Sequence, residues 1–296
     1  MQYSKRQSSR QKRRTVTVML LVSLGLFAGC TNPAHQGESN QYGENGQEAV
    51  AGSVFSITAE DLNTDGTDLI NVYLSDHENE VLIQKAGDYV LSGSLNGSIC
   101  IDAEEQIVHL FLADVSVRSS FGPAISVASA GKVIITLLPG STSTLSDSGY
   151  YQPDSEENAC IYSECDLTIN GSGKLSINGY YKDGIHCKDV VKLLGGELVI
   201  LAKRDGIRGN DGILSDLEQL TIESEGNGLR STKTGRNGKG TIEIAGGSIS
   251  IIAGEYGVTC ADALYVRDCN LYINAVISRL YVKGDSYIQE GCLENE

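Results

Sequence analysis

Val190–Gly209, VVKLLGGELVILAKRDGIRG, and Gly212–Ser231, GILSDLEQLTIESEGNGLRS, are two copies of one pattern set 22 residues apart. The shift lays Leu198 over Leu220 and Ile200 over Ile222. It also lays Asp205 over Asn227, Gly206 over Gly228, and Arg208 over Arg230. A short fixed period of strand-like runs and glycine corners is the signature of a solenoid.

The period extends in both directions. Gly184 to Gly206 is again 22 residues, whereas Gly228 to Gly257 is 29. The seven extra residues correspond to Thr232–Gly238, TKTGRNG, a polar loop out of one corner. Runs such as Val133–Leu137, Leu167–Ile169, Leu175–Ile177, Ile242–Ile244, Ile249–Ile251 and Leu271–Ile273 alternate with period two, which predicts strands with one apolar face. Proline is scarce and glycine abundant, at 4 and 34 residues. The pattern predicts an all-β fold, a right-handed parallel β-helix with coils of about 22 residues, right-handed coiling being the default for parallel crossovers. Ser53 to about Ser146 keeps a less regular period and is expected to form wider or capping coils.

Residues 1–29 read as a lipoprotein signal peptide. A basic stretch containing Lys5, Arg6, Arg10, Lys12, Arg13 and Arg14 precedes an apolar run from Val16 to Phe27. Leu26-Phe27-Ala28-Gly29-Cys30 resembles a lipobox, which makes Cys30 the expected lipidation site and the membrane a partner through a lipid anchor. Residues 30–52 are polar and read as a flexible tether, leaving 53–296 for the β-helix domain. Loss of residues 1–29 removes six of 23 basic residues and no acidic ones, leaving 17 against 38 and a net charge of −21. That balance excludes nucleic acid as a partner, since phosphate binding needs a basic footprint. Seven cysteines besides Cys30 show no CxxC metal pair and read as small packing residues, with one or two disulfides left open.

Stacked strands lie about 4.8 Å apart, so residues one period apart sit nearly above one another. Asp183, Asp205 and Asn227 form one column before the corner glycines, and Asp189 and Asp211 a second column five residues beyond them. Like charges at that separation call for a cation, and calcium, which takes about six to eight oxygens, suits carboxylates beside turn carbonyls. Asp–Gly also makes tight corners with no metal at all. Arg208 and Arg230 form a basic ladder that either pairs with nearby acids or binds a carboxylated sugar. Tyr150, Tyr151, Tyr180 and Tyr181 are suited either to stacking on sugar rings or to packing at a sheet edge. His186 reads as structural.

Ala159–Ser163, Asp166–Gly173, Lys182-Asp183-Gly184-Ile185 and Asp205–Asp211, taken in order, resemble the clostridial family of calcium-binding right-handed β-helix proteins known as carbohydrate-binding domain-containing proteins. The resemblance runs from about Ser53 to Ala275. It implies a non-catalytic cell-surface lipoprotein that binds polysaccharide, acidic pectic or cellulosic, with calcium at the coil corners. By position, Asp183, Asp189, Asp205, Asp211 and Asn227 are the implied metal residues, and Tyr180, Tyr181, Arg208 and Arg230 the candidate sugar contacts. Asn227 and Tyr256 depart from the family's Asp before Gly-Ile, as do Cys165 and Lys233 in the second column, so fewer calcium ions are expected. Two other functions remain open on the same fold. One is a calcium-dependent polysaccharide lyase with Lys203, Arg204 or Arg208 as proton abstractor; the other is a purely structural surface solenoid.

Overall fold

The computed structural model describes residues 53–235 and 238–294. The expected signal peptide, Cys30 and the tether lie outside the described residues. What is described is all-β and solenoid-like, with parallel strands in long sheets. One sheet has nine strands: Glu80–Ile83, Ser98–Asp102, Ile125–Ser129, Ala159–Ser163, Asp183–Cys187, Ile207–Gly209, Leu229–Arg230, Tyr256–Cys260 and Ser278–Val282. The other has 16 strands and divides into two faces at the long strand Ile107–Arg118. The first half of that strand pairs with Lys132–Leu137 and the second half with Thr142–Ser146. Each coil thus contributes one strand to each of three faces.

The 22-residue register holds strand by strand. Leu198 pairs with Leu220 and Ile200 with Ile222, while Ile185 pairs with Ile207 on the nine-stranded face. The 29-residue step pairs Ile213 with Ile242 and Leu229 with Val258, so the insertion leaves the coil without breaking the stack. The N-terminal coils vary as expected: Val81 pairs with Ile99, 18 residues on, and Ile125 with Ile161, 36 on. One-residue register shifts at Ser92/Gly93 and Ile101/Asp102 fall in the same coils.

Period-two alternation turns one side chain in two inward, and stacking sets like on like. Ile177, Ile200, Ile222 and Ile251 run down the interior as one fully buried column, and Val191, Ile213, Ile242 and Leu264 as another. Each such aliphatic side chain stabilises the fold by about 1.5–3 kcal/mol on burial. The corner glycines answer to the same stacking. A Cβ on Gly184 would stand 2.4 Å from Ile200 Cγ2, and one on Gly206 would stand 2.4 Å from Ile222 Cγ2. The corner is glycine because the interior isoleucine of the next coil occupies the space.

The described cysteines are unbridged, and all except Cys100 are buried. The segment from Ser53 to Asn63 does not enter the stack. It crosses the outside of one face of the large sheet, with Phe55 and Ile57 packed on Leu214 and Ala245. It ends in a one-turn helix, Ala59–Leu62, closed by a capping box between Thr58 and Asp61.

Candidate functional site

The corner columns form where the period puts them. Gly184 N–H donates to Asp205 O at 3.0 Å and Gly206 N–H to Asn227 O at 2.8 Å, which stacks Asp183, Asp205 and Asn227 on successive rungs. All three are buried. Arg204 forks onto Asp183, with Nε 2.6 Å from Oδ1 and Nη2 2.5 Å from Oδ2, and the Asp205 N–H donates to Oδ1 at 3.0 Å. On the next rung Asp205 Oδ1 accepts from Asn227 Nδ2 at 2.7 Å, and Oδ2 accepts from Arg230 Nη1 at 3.1 Å. Asn227 Oδ1 in turn accepts from Thr259 Oγ1 at 3.0 Å. Burial raises the Asp183 carboxyl against the pull of the fork, and the bonded carboxylate raises Arg204. With two contacts of 2.5–2.6 Å, the pair stands ionised.

The second column carries its own cations as well. Lys233, at the next position of the Asp189–Asp211 column, holds its Nζ 2.6 Å from Asp211 Oδ1 and 3.7 Å from Asp189 Oδ1. Lys239, from beyond the insertion, bonds Asp211 Oδ2. Burial pushes the Asp211 carboxyl up, but the two lysines win and hold it below its ordinary value. Asp189, further from both, is pushed up by burial and by Asp211.

This donor set does not fit a calcium ion. Calcium needs about six to eight oxygens turned toward one point. Here the oxygens of Asp183, Asp205 and Asp211 are turned toward guanidinium, ammonium and N–H donors. Among the described residues, no group of three or more histidine, cysteine, aspartate or glutamate side chains gathers for a metal. The residues implied as metal ligands are stacked together as expected, around cations that belong to the chain itself.

Outward on the nine-stranded face, His186, Arg208 and Arg230 follow one another in register. Arg208 Nε donates to Asn210 Oδ1 at 2.9 Å; among the described residues its terminal nitrogens have no protein acceptor. Burial, then the neighbouring Arg230 and Arg204, lower its pKa against the pull of Asp183. His186 is neutral, because burial and Arg208 push its pKa down to about 3. Its Nδ1 lies 2.6 Å from Asn158 Oδ1, so that nitrogen carries the proton, and the Asn210 side chain stands beside the ring as a second polar neighbour.

The tyrosines divide. Tyr180 is exposed at the rim of a groove lined by Leu201, Ile252 and Val276. Tyr181 is packed, stacked on Tyr151 at 4.2 Å between centroids with Lys182 Nζ 4.6 Å from its ring centroid. Tyr151 bonds inward to Asp147, so of these four tyrosines Tyr180 and Tyr150 are the ones exposed to meet a ligand face-on.

Two constellations escaped the sequence reading. Asp61, fully buried, accepts from Lys132 at 2.8 Å, Lys192 at 2.9 Å and Thr168 Oγ1 at 2.6 Å, which fastens the N-terminal segment to three rungs at once. Tyr265 and Tyr287 stack at 5.0 Å with 9° between their planes near the C-terminal end. The second was readable, because the two tyrosines are one 22-residue period apart.

The family described as carbohydrate-binding domain-containing protein matches residues 77–291. A protein of that description from Acetivibrio thermocellus is 29% identical over 238 residues, covering 78% of this chain and 82% of the relative. The solved structure of a polysaccharide lyase-like protein from C. thermocellum, as a gadolinium derivative, superposes with a TM-score of 0.72 at 29% identity. That match covers 76% of this chain and 98% of the other.

Proposed function

The chain belongs to the carbohydrate-binding domain-containing protein family, and from that premise we propose that it is a non-catalytic polysaccharide-binding solenoid gripping acidic glycan through Arg208 and Arg230. The observation that carries this reading is the arginine strip. In a chain of net charge −15, two guanidinium groups stand on adjacent outward rungs, and Arg208 has terminal nitrogens to spare. A guanidinium fork matches a carboxylate in two bonds, as a uronate presents it. The charge complement in this reading is guanidinium and not a corner-bound calcium, because Asp183, Asp205 and Asp211 already face the chain's own cations. Right-handed coiling, export and a lipid anchor at Cys30 complete it, placing the solenoid on a cell surface at the end of a polar tether.

Retention of the full chain on insoluble polygalacturonate and on cellulose tests the proposal. A charge-assisted hydrogen bond contributes about 1.5–3 kcal/mol. Replacing both arginines, Arg208→Ala with Arg230→Ala, is therefore expected to weaken retention on polygalacturonate at least about tenfold and to leave cellulose little changed. Equal retention of wild type and double variant on polygalacturonate would remove the arginine strip from the account.

A lyase is the second reading, and Arg208 is the observation that favours it. Among the described residues its terminal nitrogens have no protein acceptor, which leaves them open to the proton beside a uronate carboxylate. Lys203 and Arg204, the other candidates, are already committed to Glu225 and Asp183. Elimination would leave an unsaturated, ultraviolet-absorbing sugar end. Steady formation of that product, lost in Arg208→Ala, would replace the binding reading with the catalytic one.

A further inference from the structure

One outward column runs from Asp88 and His109 through Ile134, Thr168, Lys192, Leu214 and Glu243 to Tyr265 and Tyr287, one residue per rung. The N-terminal segment sheathes the middle of this column. Asp61 holds Thr168 and Lys192, Ile57 and Phe55 pack on the Leu214 region, and Ser53 Oγ bonds Glu243 Oε2 at 2.8 Å. Among the described residues the sheath begins at Ser53, beside Glu243, and none of it covers the last two rungs. There the stacked pair Tyr265 and Tyr287 lines a groove with Arg267, Glu243, Ile288 and Gln289.

We propose that this groove is a sugar-binding subsite, separate from the arginine strip, in which one pyranose ring stacks on Tyr287. The inference rests on the polysaccharide-binding reading and names a second place where that polymer is held. Strand Ser286–Ile288 is the last of its face among the described residues, none of which adds a further rung over the outer side of Tyr287, a residue 54% exposed. Tyr265 supports the ring from behind and fixes its plane, so little side-chain entropy is lost on stacking. A pyranose presents a face of C–H groups and a rim of hydroxyls. An aromatic floor with a few fixed polar groups is complementary to that shape.

The polar groups are fixed here. Arg267 Nη2 bonds Glu243 Oε1 at 2.6 Å, and Glu243 Oε2 is held from its other side by Ser53 and the Val54 N–H. Gln289 Oε1 accepts the Asp268 N–H at 3.2 Å, which leaves its amide donors for a hydroxyl. Arg267, bonded to Glu243 through Nη2 and 3.7 Å from Asp268 Oδ2 through Nη1, is a positioned hydrogen-bond donor at the groove wall. The segment that matches the carbohydrate-binding family, 77–291, includes every residue of this groove except those of the N-terminal sheath.

The test uses the full chain on insoluble polygalacturonate and cellulose, with wild type, Tyr287→Ala, Tyr265→Ala and Tyr287→Phe compared at equal thermal stability. Tyr287→Ala and Tyr265→Ala are expected to weaken retention about tenfold on the polymer that the wild type binds. Tyr287→Phe is expected to keep it. Nitration of Tyr287, followed by mass spectrometry, is expected to be slowed severalfold by soluble oligosaccharide of the same polymer. Unchanged retention of Tyr287→Ala, with loss in the Arg208/Arg230 double variant, overturns this subsite and leaves the parent reading standing. Failure of the wild type to bind either polymer overturns both. A concentration-dependent dimer abolished by Tyr287→Ala, with retention unchanged, assigns the groove to a second copy and also overturns the proposal.

Discussion

Asp147 shows how one buried carboxyl sets a pH response beside the tyrosines. Its Oδ1 accepts the Tyr180 N–H at 2.6 Å and its Oδ2 faces the Tyr151 hydroxyl at 2.8 Å, but that hydroxyl also faces Ala159 O at 2.9 Å. One hydroxyl proton cannot serve two acceptors. Burial pushes Asp147 up to about 6, against the pull of Tyr151, Tyr180 and Tyr181. A folded-state pKa above the unfolded one means that the native state holds the proton longer. The contribution is full below about pH 4 and is lost as pH rises through about 6, up to about 3 kcal/mol in all. Asp147→Asn keeps an acceptor for Tyr180 and donates to Tyr151, freeing that hydroxyl for Ala159. It is expected to be more stable than wild type at pH 7.5 by about 1–3 kcal/mol, with the gap closing toward pH 4 in urea titrations. A gap that is constant with pH would contradict the assignment. His186, pushed down to about 3, acts in the opposite sense, its contribution being lost as pH falls from its ordinary value toward 3.

The same scale marks the limit of what the sequence discloses. The positions of Asp183, Asp205 and Asn227 in one column follow from the period alone. Their partners do not, because Arg204 precedes Asp205 in the chain yet clamps Asp183 on the previous rung. A repeat places backbones; it does not say which long side chain reaches across to the next coil. Lys233 was visible as a break in the second column, and the structure turns that break into the ammonium that neutralises it.

At the scale of elements, the strands and corners were legible and the N-terminal sheath was not. Like-on-like pairing of Leu198 with Leu220 is local to a fixed period, whereas Asp61 meets Lys132 and Lys192 across 71 and 131 residues. No periodicity connects them. Lys192 is only 5% exposed, so removal of its carboxylate leaves a buried charge unpaired. Asp61→Ala is expected to destabilise the fold by about 3–5 kcal/mol, read as a lower urea midpoint. Although burial opposes it, bonds from Lys132, Thr168 and Lys192 hold the Asp61 carboxyl well below the usual carboxylate range. Its contribution is therefore present above the unfolded pKa and lost as pH falls through and below that range, a loss that Asp61→Ala should no longer show. An Asp61→Ala midpoint equal to wild type would mean that the sheath adds nothing to the stability of the coils it covers.

Across the whole molecule, the solenoid is a ruler on which chemistry recurs at rung spacing. One face sets Arg208 beside Arg230, and another ends in Tyr265 beside Tyr287. The acid columns at the corners are neutralised from within, by Arg204, Arg230, Lys233 and Lys239. Stability is accordingly expected to be insensitive to divalent cations, with a thermal midpoint that moves little between excess calcium and excess chelator. The measurement that bears most directly on the account is retention of the full chain on insoluble polygalacturonate, with calcium or with chelator, for wild type and for the Arg208→Ala, Arg230→Ala double variant. The account predicts that wild type stays bound in chelator, elutes as salt is raised, and loses at least about tenfold in retention in the double variant. Release of the wild type by chelator, with the double variant bound as tightly as wild type, would contradict it.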